Sequence, residues 1–103
     1  MKSLIVTTIL LLIAVSAVAG TPDGAALYKA KCASCHGADG AGQTAMGKSM
    51  KLRDLGSAEV QKLTDAELTA ITADGKGKMP AYKGKLSGEE IKAVVAHMRT
   101  FKK

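Results

Sequence analysis

The segment Cys32-Ala33-Ser34-Cys35-His36 constrains this chain more than any other stretch. It places two thiols one helical turn apart and a histidine directly after them. C-x-x-C-H is the attachment pattern of haem c. The thiols add across the two vinyl groups of the tetrapyrrole, and the adjoining imidazole is held beneath the ring as the proximal iron ligand. Two other chemistries use the same residue types. An exported C-x-x-C can form a redox disulfide, but such sites sit in a βαβ framework, and no run of alternating β-branched residues makes a strand here. A zinc site built from Cys32, Cys35, His36 and the distant His97 lacks the two well-spaced ligand pairs that tetrahedral sites prefer. One haem is the reading the residues favour.

The chain has 103 residues, which allows one small domain and excludes a multi-domain enzyme, a large barrel or a doubly wound sheet. Its apolar residues are unevenly spread. Lys2 is a minimal positive start, Leu4 to Val15 is apolar apart from Thr7 and Thr8, and Ala17-Val18-Ala19 has the small-x-small pattern of a signal-peptidase site. The apolar run as a whole, Leu4 to Ala19, is 16 residues and falls short of the ~20 needed to span a bilayer, and no stop-transfer charges follow it. Residues 1–19 are therefore expected to be a signal peptide cleaved before Gly20, with residues 20–103 as the domain. The alternative is an uncleaved anchor. No cysteine stands at the cleavage point to carry a lipid.

Export suits the motif, because haem c is usually attached outside the cytoplasm; the expected location is the periplasm, with no stable membrane insertion after cleavage. The mature 84 residues carry 14 basic and 9 acidic side chains, a formal charge of +5. Tryptophan is absent, and Tyr28, Tyr82 and Phe101 are the aromatics. A chain this short has a weak core and usually needs a staple, a metal or a cofactor to fill its middle.

Three helices are predicted. The first opens at Thr21 or Asp23, with Pro22 suited to a first helical position, and runs to about Cys35. Its stripe is Gly24, Leu27, Tyr28, Cys32 and Cys35. The second starts behind the capping box Thr64-Asp65-Ala66-Glu67, with Leu63 able to staple to Leu68, and stops at Asp74-Gly75. The third repeats the device with Ser87, Glu90, Leu86 and Ile91, and its stripe is Ile91, Val94, Val95, Met98 and Phe101. A shorter turn is expected at Ser57. Gly37 to Arg53 reads as loop with about one helical turn, and Gly75 to Lys85 reads as loop. Two long loops in so small a chain suggest that they wrap something.

With these residues in view, the sequence resembles the class I c-type cytochromes over essentially all of residues 22–101. The resemblance rests on Gly24 and Tyr28 before the attachment site, Cys-Ala-Ser-Cys-His-Gly at Cys32 to Gly37, Gly-Lys-Gly-Lys-Met-Pro at Gly75 to Pro80, and the C-terminal amphipathic helix. It implies an all-α fold, three main helices plus a short one around a single haem c bound covalently through Cys32 and Cys35. It also implies that the first and last helices cross closely, Gly24 and Tyr28 meeting Val94, His97 and Met98. His97 stands where the family often has an aromatic and is expected to pack at that crossing. The loop after the motif has Ala45 and no proline where the family often places one near the carbonyl that orients the proximal imidazole. Some backbone carbonyl is still expected to orient His36.

Met46, Met50, Met79 and Met98 are the methionines beyond the leader. Met98 lies on the apolar stripe of the last helix, whereas Met46 and Met50 could line a pocket from a polar loop. Met79 precedes Pro80, which favours an extended backbone there, and follows flexible Gly75 and Gly77. The family presents its axial methionine in this way, so the resemblance implies Met79 as the sixth iron ligand opposite His36, with Met50 or an open site as alternatives. A methionine simply filling core space is the plainer possibility.

The implied function is that of a soluble one-electron carrier, not an enzyme. Its partners would be redox proteins with acidic docking surfaces, steered by Lys76, Lys78, Lys83 and Lys85 around the methionine. Nucleic acid is not an expected partner, and a monomer is the expected form. The competing functions are a haem-c enzyme or gas sensor with an open sixth position, and a fixed subunit of a membrane-bound redox complex.

Overall fold

Five of the six helices among the described residues begin where a short polar side chain catches the free N–H groups of a first turn. The computed structural model describes residues 21–103; the expected leader and its cleavage point before Gly20 lie outside the described residues. Helix α1 spans Gly24–Lys31, its first turn capped by Asp23, whose carboxylate accepts from the Ala26 N–H at 3.1 Å. The Cys32 φ of −118° departs from the helical value and interrupts the ladder. The predicted single helix to Cys35 is thus two pieces, α1 and the one-turn α2 at Ala33–His36.

Helix α3, Ala45–Met50, is capped by Thr44. It is the single helical turn or so that the glycine-containing loop allowed, lengthened to six residues. Helix α4, Ala58–Gln61, starts behind Ser57, as expected. Helices α5, Asp65–Asp74, and α6, Gly88–Arg99, both carry complete capping boxes. In the second of these, the Glu90 N–H donates to Ser87 Oγ at 3.1 Å and the Ser87 N–H donates to Glu90 Oε1 at 2.9 Å. Among the described residues there is no strand, only isolated bridges at Lys76–Met79 and Lys83–Leu86. The fold is all-α, as the sequence led one to expect.

The α1–α6 crossing organises the core. At Gly24 a Cβ would overlap the backbone carbonyl of Ala93, so only glycine lets the two helices approach this closely. One turn further on, Tyr28 is buried between them with Val94. Its ring meets those of His97 and Phe101 at centroid distances of 5.2 and 5.1 Å, and His97 meets Phe101 at 5.1 Å. His97 therefore occupies an aromatic place in a three-ring cluster, with the tilted and edge-on contacts such rings prefer. Ile91, Val94, Val95 and Met98 give α6 its buried stripe.

A long-range staple holds the C-terminal end of α6. Arg99 donates to the Gln61 carbonyl at 2.9 Å, the Leu63 carbonyl at 2.6 Å and Asp65 Oδ1 at 2.8 Å. It thereby satisfies carbonyls at the α4–α5 connection that have no helical partner. Gln61 completes the staple by donating to the carbonyls of Leu55 and Met98.

Candidate haem site

The C-x-x-C-H residues sit at the junction of α1 and α2, where the interrupted ladder turns them inward. Cys32 is buried and Cys35 half-buried, and both thiols are free. Burial pushes the Cys32 thiol above its usual range, and the neighbouring Cys35 adds to the shift. His36 is half-buried, and desolvation holds its imidazole below the usual histidine range. A neutral imidazole with a free lone pair is the form that binds iron.

The loop behind His36 is built around its own carbonyls. The Cys35 carbonyl accepts from the Thr44 hydroxyl at 2.6 Å, the His36 carbonyl from the Gly42 N–H at 2.8 Å, and the Gly37 carbonyl from the Tyr28 hydroxyl at 2.7 Å. Thr44 also accepts from the Gly47 N–H at 2.8 Å, and so ties α3 back to α2. The expected backbone acceptor for His36 is not found. Its Nδ1 is buried with no hydrogen-bond partner.

Met79 reaches the same region from the far loop. The Lys76 and Met79 backbones exchange hydrogen bonds at 3.2 and 3.0 Å around Gly77, whose φ of 58° suits a residue without a Cβ. Beyond Pro80 the chain is bound to the end of α5, Tyr82 N–H to the Thr72 carbonyl at 3.1 Å and Lys83 N–H to the Ala73 carbonyl at 3.0 Å.

Between these segments lies a cavity of about 270 Å³. Cys32, His36 and Met79 line it together with apolar core residues such as Leu52, Leu68 and Val94. Its charged lining residues are Lys51, Arg53 and Lys76, all cationic. A smaller adjoining space of about 40 Å³ is shared by Cys32, Cys35, His36, Met50, Met79 and Tyr82. The structure thus brings Cys32, Cys35, His36 and Met79 to one place. It also puts Met50 beside them, leaves Met46 largely exposed, and uses Met98 in the core.

Sequence reasoning singled out neither Tyr82 nor Thr44 nor Arg53. Tyr82 had a signal: an aromatic in a loop of glycines and lysines has to bury itself somewhere. The residues fit a haem. Two free thiols, a desolvated imidazole and a thioether converge on an apolar cavity with a cationic lining.

Comparison with known proteins agrees. Residues 19–98 match the family described as "Cytochrome C oxidase, cbb3-type, subunit III". The chain is 37% identical over 75 residues to cytochrome c6 of Leptolyngbya boryana, an alignment covering 73% of this chain and 85% of that protein. It is 35% identical over 80 residues to cytochrome c-551 of Halorhodospira halochloris, covering 74% and 94% respectively. The solved KustC0563 c-type cytochrome superposes with a TM-score of 0.74 at 38% identity, covering 79% of this chain and 99% of that one. The chain belongs to the cytochrome c family, as a small class I c-type cytochrome. Its cofactor is haem c, covalently bound.

Proposed function

We propose that this protein is a monomeric one-electron carrier of the periplasm, with haem held through thioethers to Cys32 and Cys35 and iron ligated by His36 and Met79. Residues 1–19 serve as the export signal and are removed before Gly20. The observation that carries this reading is that Cys32, His36 and Met79 line one apolar cavity. When bound, the haem iron supplies the ferric/ferrous couple.

The chain's own residues set the conditions. His36 offers a neutral nitrogen, and Met79 a soft, uncharged sulfur that favours the ferrous state and raises the potential. With His36 and Met79 both holding the iron, no position would be left for a substrate, which separates a carrier from an enzyme or gas sensor. Keeping the same two donors in both oxidation states limits the rearrangement that accompanies transfer. The apolar walls exclude water. Lys51, Arg53 and Lys76 are the cations available to the propionates. Lys76, Lys78, Lys83 and Lys85 are exposed on the methionine loop and steer an acidic redox partner.

The test is the visible spectrum of the exported, matured protein in both oxidation states. A c-type spectrum with the weak red methionine-to-ferric band is expected, lost in Met79→Ala and kept in Met50→Ala. A haem spectrum without that band, together with carbon monoxide binding, would overturn the carrier reading.

A further inference from the structure

The methionine loop is mostly solvent-exposed. From Gly75 to Lys85 the one buried side chain is Tyr82, 9% exposed between exposed Ala81 and exposed Lys83. Its hydroxyl donates to the Lys31 carbonyl at 2.9 Å across 51 positions of sequence. Lys31 is the last residue of α1 and directly precedes Cys32. Its carbonyl is one of those a helix end leaves without an intrahelical partner. The same tyrosine shares the smaller space with Met79, Cys32, Cys35 and His36.

Phenylalanine would fill the ring's volume equally well. The added hydroxyl would cost stability in this setting unless it were bonded, so its contribution lies in the link it makes. Burial raises the phenol above its usual range, and the hydroxyl is a donor at neutral pH.

We infer that Tyr82 is a positioning residue for Met79: its hydroxyl clamps the methionine loop to the cysteine helix and sets how readily that loop opens. The inference rests on the reading of Met79 as iron ligand. Lys76 and Met79 bond only to each other, and the Thr72 and Ala73 carbonyls anchor the loop to α5 alone. The Tyr82 hydroxyl is the bond that joins the loop to the element carrying the attachment site. Opening the loop far enough to withdraw Met79 breaks it.

The test uses the haem-loaded ferric protein and free imidazole at pH 7, with loss of the red methionine band as the readout. Imidazole competes with Met79, so its apparent affinity measures loop opening. Tyr82→Phe removes only the hydroxyl. It is expected to raise imidazole affinity about fivefold, the equivalent of the ~1 kcal/mol net contribution of one neutral hydrogen bond. Arg99→Gln is the companion variant, since it weakens the fold at the α4–α5 connection, away from the loop. It is expected to lower the guanidinium unfolding midpoint and leave imidazole affinity unchanged. An unchanged affinity in Tyr82→Phe, or an equal rise in both variants, overturns the clamp. Absence of the methionine band in the unmutated protein would sink the ligand reading and the clamp together. A band that is present with an unmoved affinity sinks the clamp alone.

Discussion

Gly24 and Gly88 occupy the same local position, the first residue after an N-cap, in α1 and α6. Alanine at either site gains helix propensity of up to about 1 kcal/mol over glycine. Their surroundings are opposite. A Cβ at Gly88 meets nothing within 4 Å, whereas at Gly24 it runs into the Ala93 carbonyl and on to the Val94 nitrogen. The obstacle is backbone of a packed helix, so no rotamer change relieves it and α1 must move away from α6. Overpacking typically costs about 1–3 kcal/mol, and a backbone obstacle belongs at the upper end.

Setting about 3 kcal/mol of clash against about 1 of propensity leaves Gly24→Ala destabilised by about 2 kcal/mol. With an unfolding entropy of about 0.17 kcal/mol/K for a domain this size, that lowers Tm by roughly 12 °C. Gly88→Ala is expected to be neutral or stabilised by up to about 1 kcal/mol. Thermal and guanidinium unfolding of the haem-loaded ferric protein, followed by far-ultraviolet circular dichroism, measure both. If Gly24→Ala matches the unmutated protein, or the two variants shift alike, the close approach of α1 and α6 is not what holds Gly24 in place.

Other expectations follow from charge. Hydrogen bonds from Lys103 and the Gly56 N–H hold Asp54 below its unfolded value of 3.8. Its contribution to stability is therefore present above that value and lost as the pH falls through the lower folded value. Asp54→Asn should flatten the acid limb of the stability–pH curve below about pH 4; an unaltered limb would show the pair to be inert. The rate of reduction by an acidic partner should fall roughly tenfold between low and physiological ionic strength. Replacing Lys76, Lys78, Lys83 and Lys85 by glutamine should abolish most of that dependence, and a flat rate in the unmutated protein would remove the lysines' role.

What could be read from the sequence was local. The boxes Thr64/Glu67 and Ser87/Glu90 announce α5 and α6 because each partner lies three positions from the other, and both are formed. The C-x-x-C-H spacing is likewise a property of one helical turn. Features that depend on distant partners left little trace. The Arg99 staple spans 34 to 38 positions, and the Tyr82 hydroxyl reaches back to Lys31, so neither produces a periodicity. Ala45–Met50 contains Gly47 and no apolar stripe, yet it forms because the Thr44 hydroxyl both caps it and bonds the Cys35 carbonyl. The break at Cys32 and the unpartnered His36 Nδ1 are features of the folded backbone that no residue type announces. Gly24 was legible as a helix-crossing residue through the family resemblance, not through spacing.

Tyr28, Cys32, Leu68, Val94 and Met98 belong at once to the core and to the wall of the cavity. Most small domains can exchange one aliphatic core residue for another of similar volume and lose little. With the haem seated as proposed, that neutral drift is closed to these positions, because a change in the wall would also change the surroundings of the iron. Selection on the redox potential and selection on folding therefore act on the same side chains. A lineage that needs a new potential must reach it by substitutions its stability can tolerate, or else change charges such as Lys83 and Lys85 that stand outside the wall.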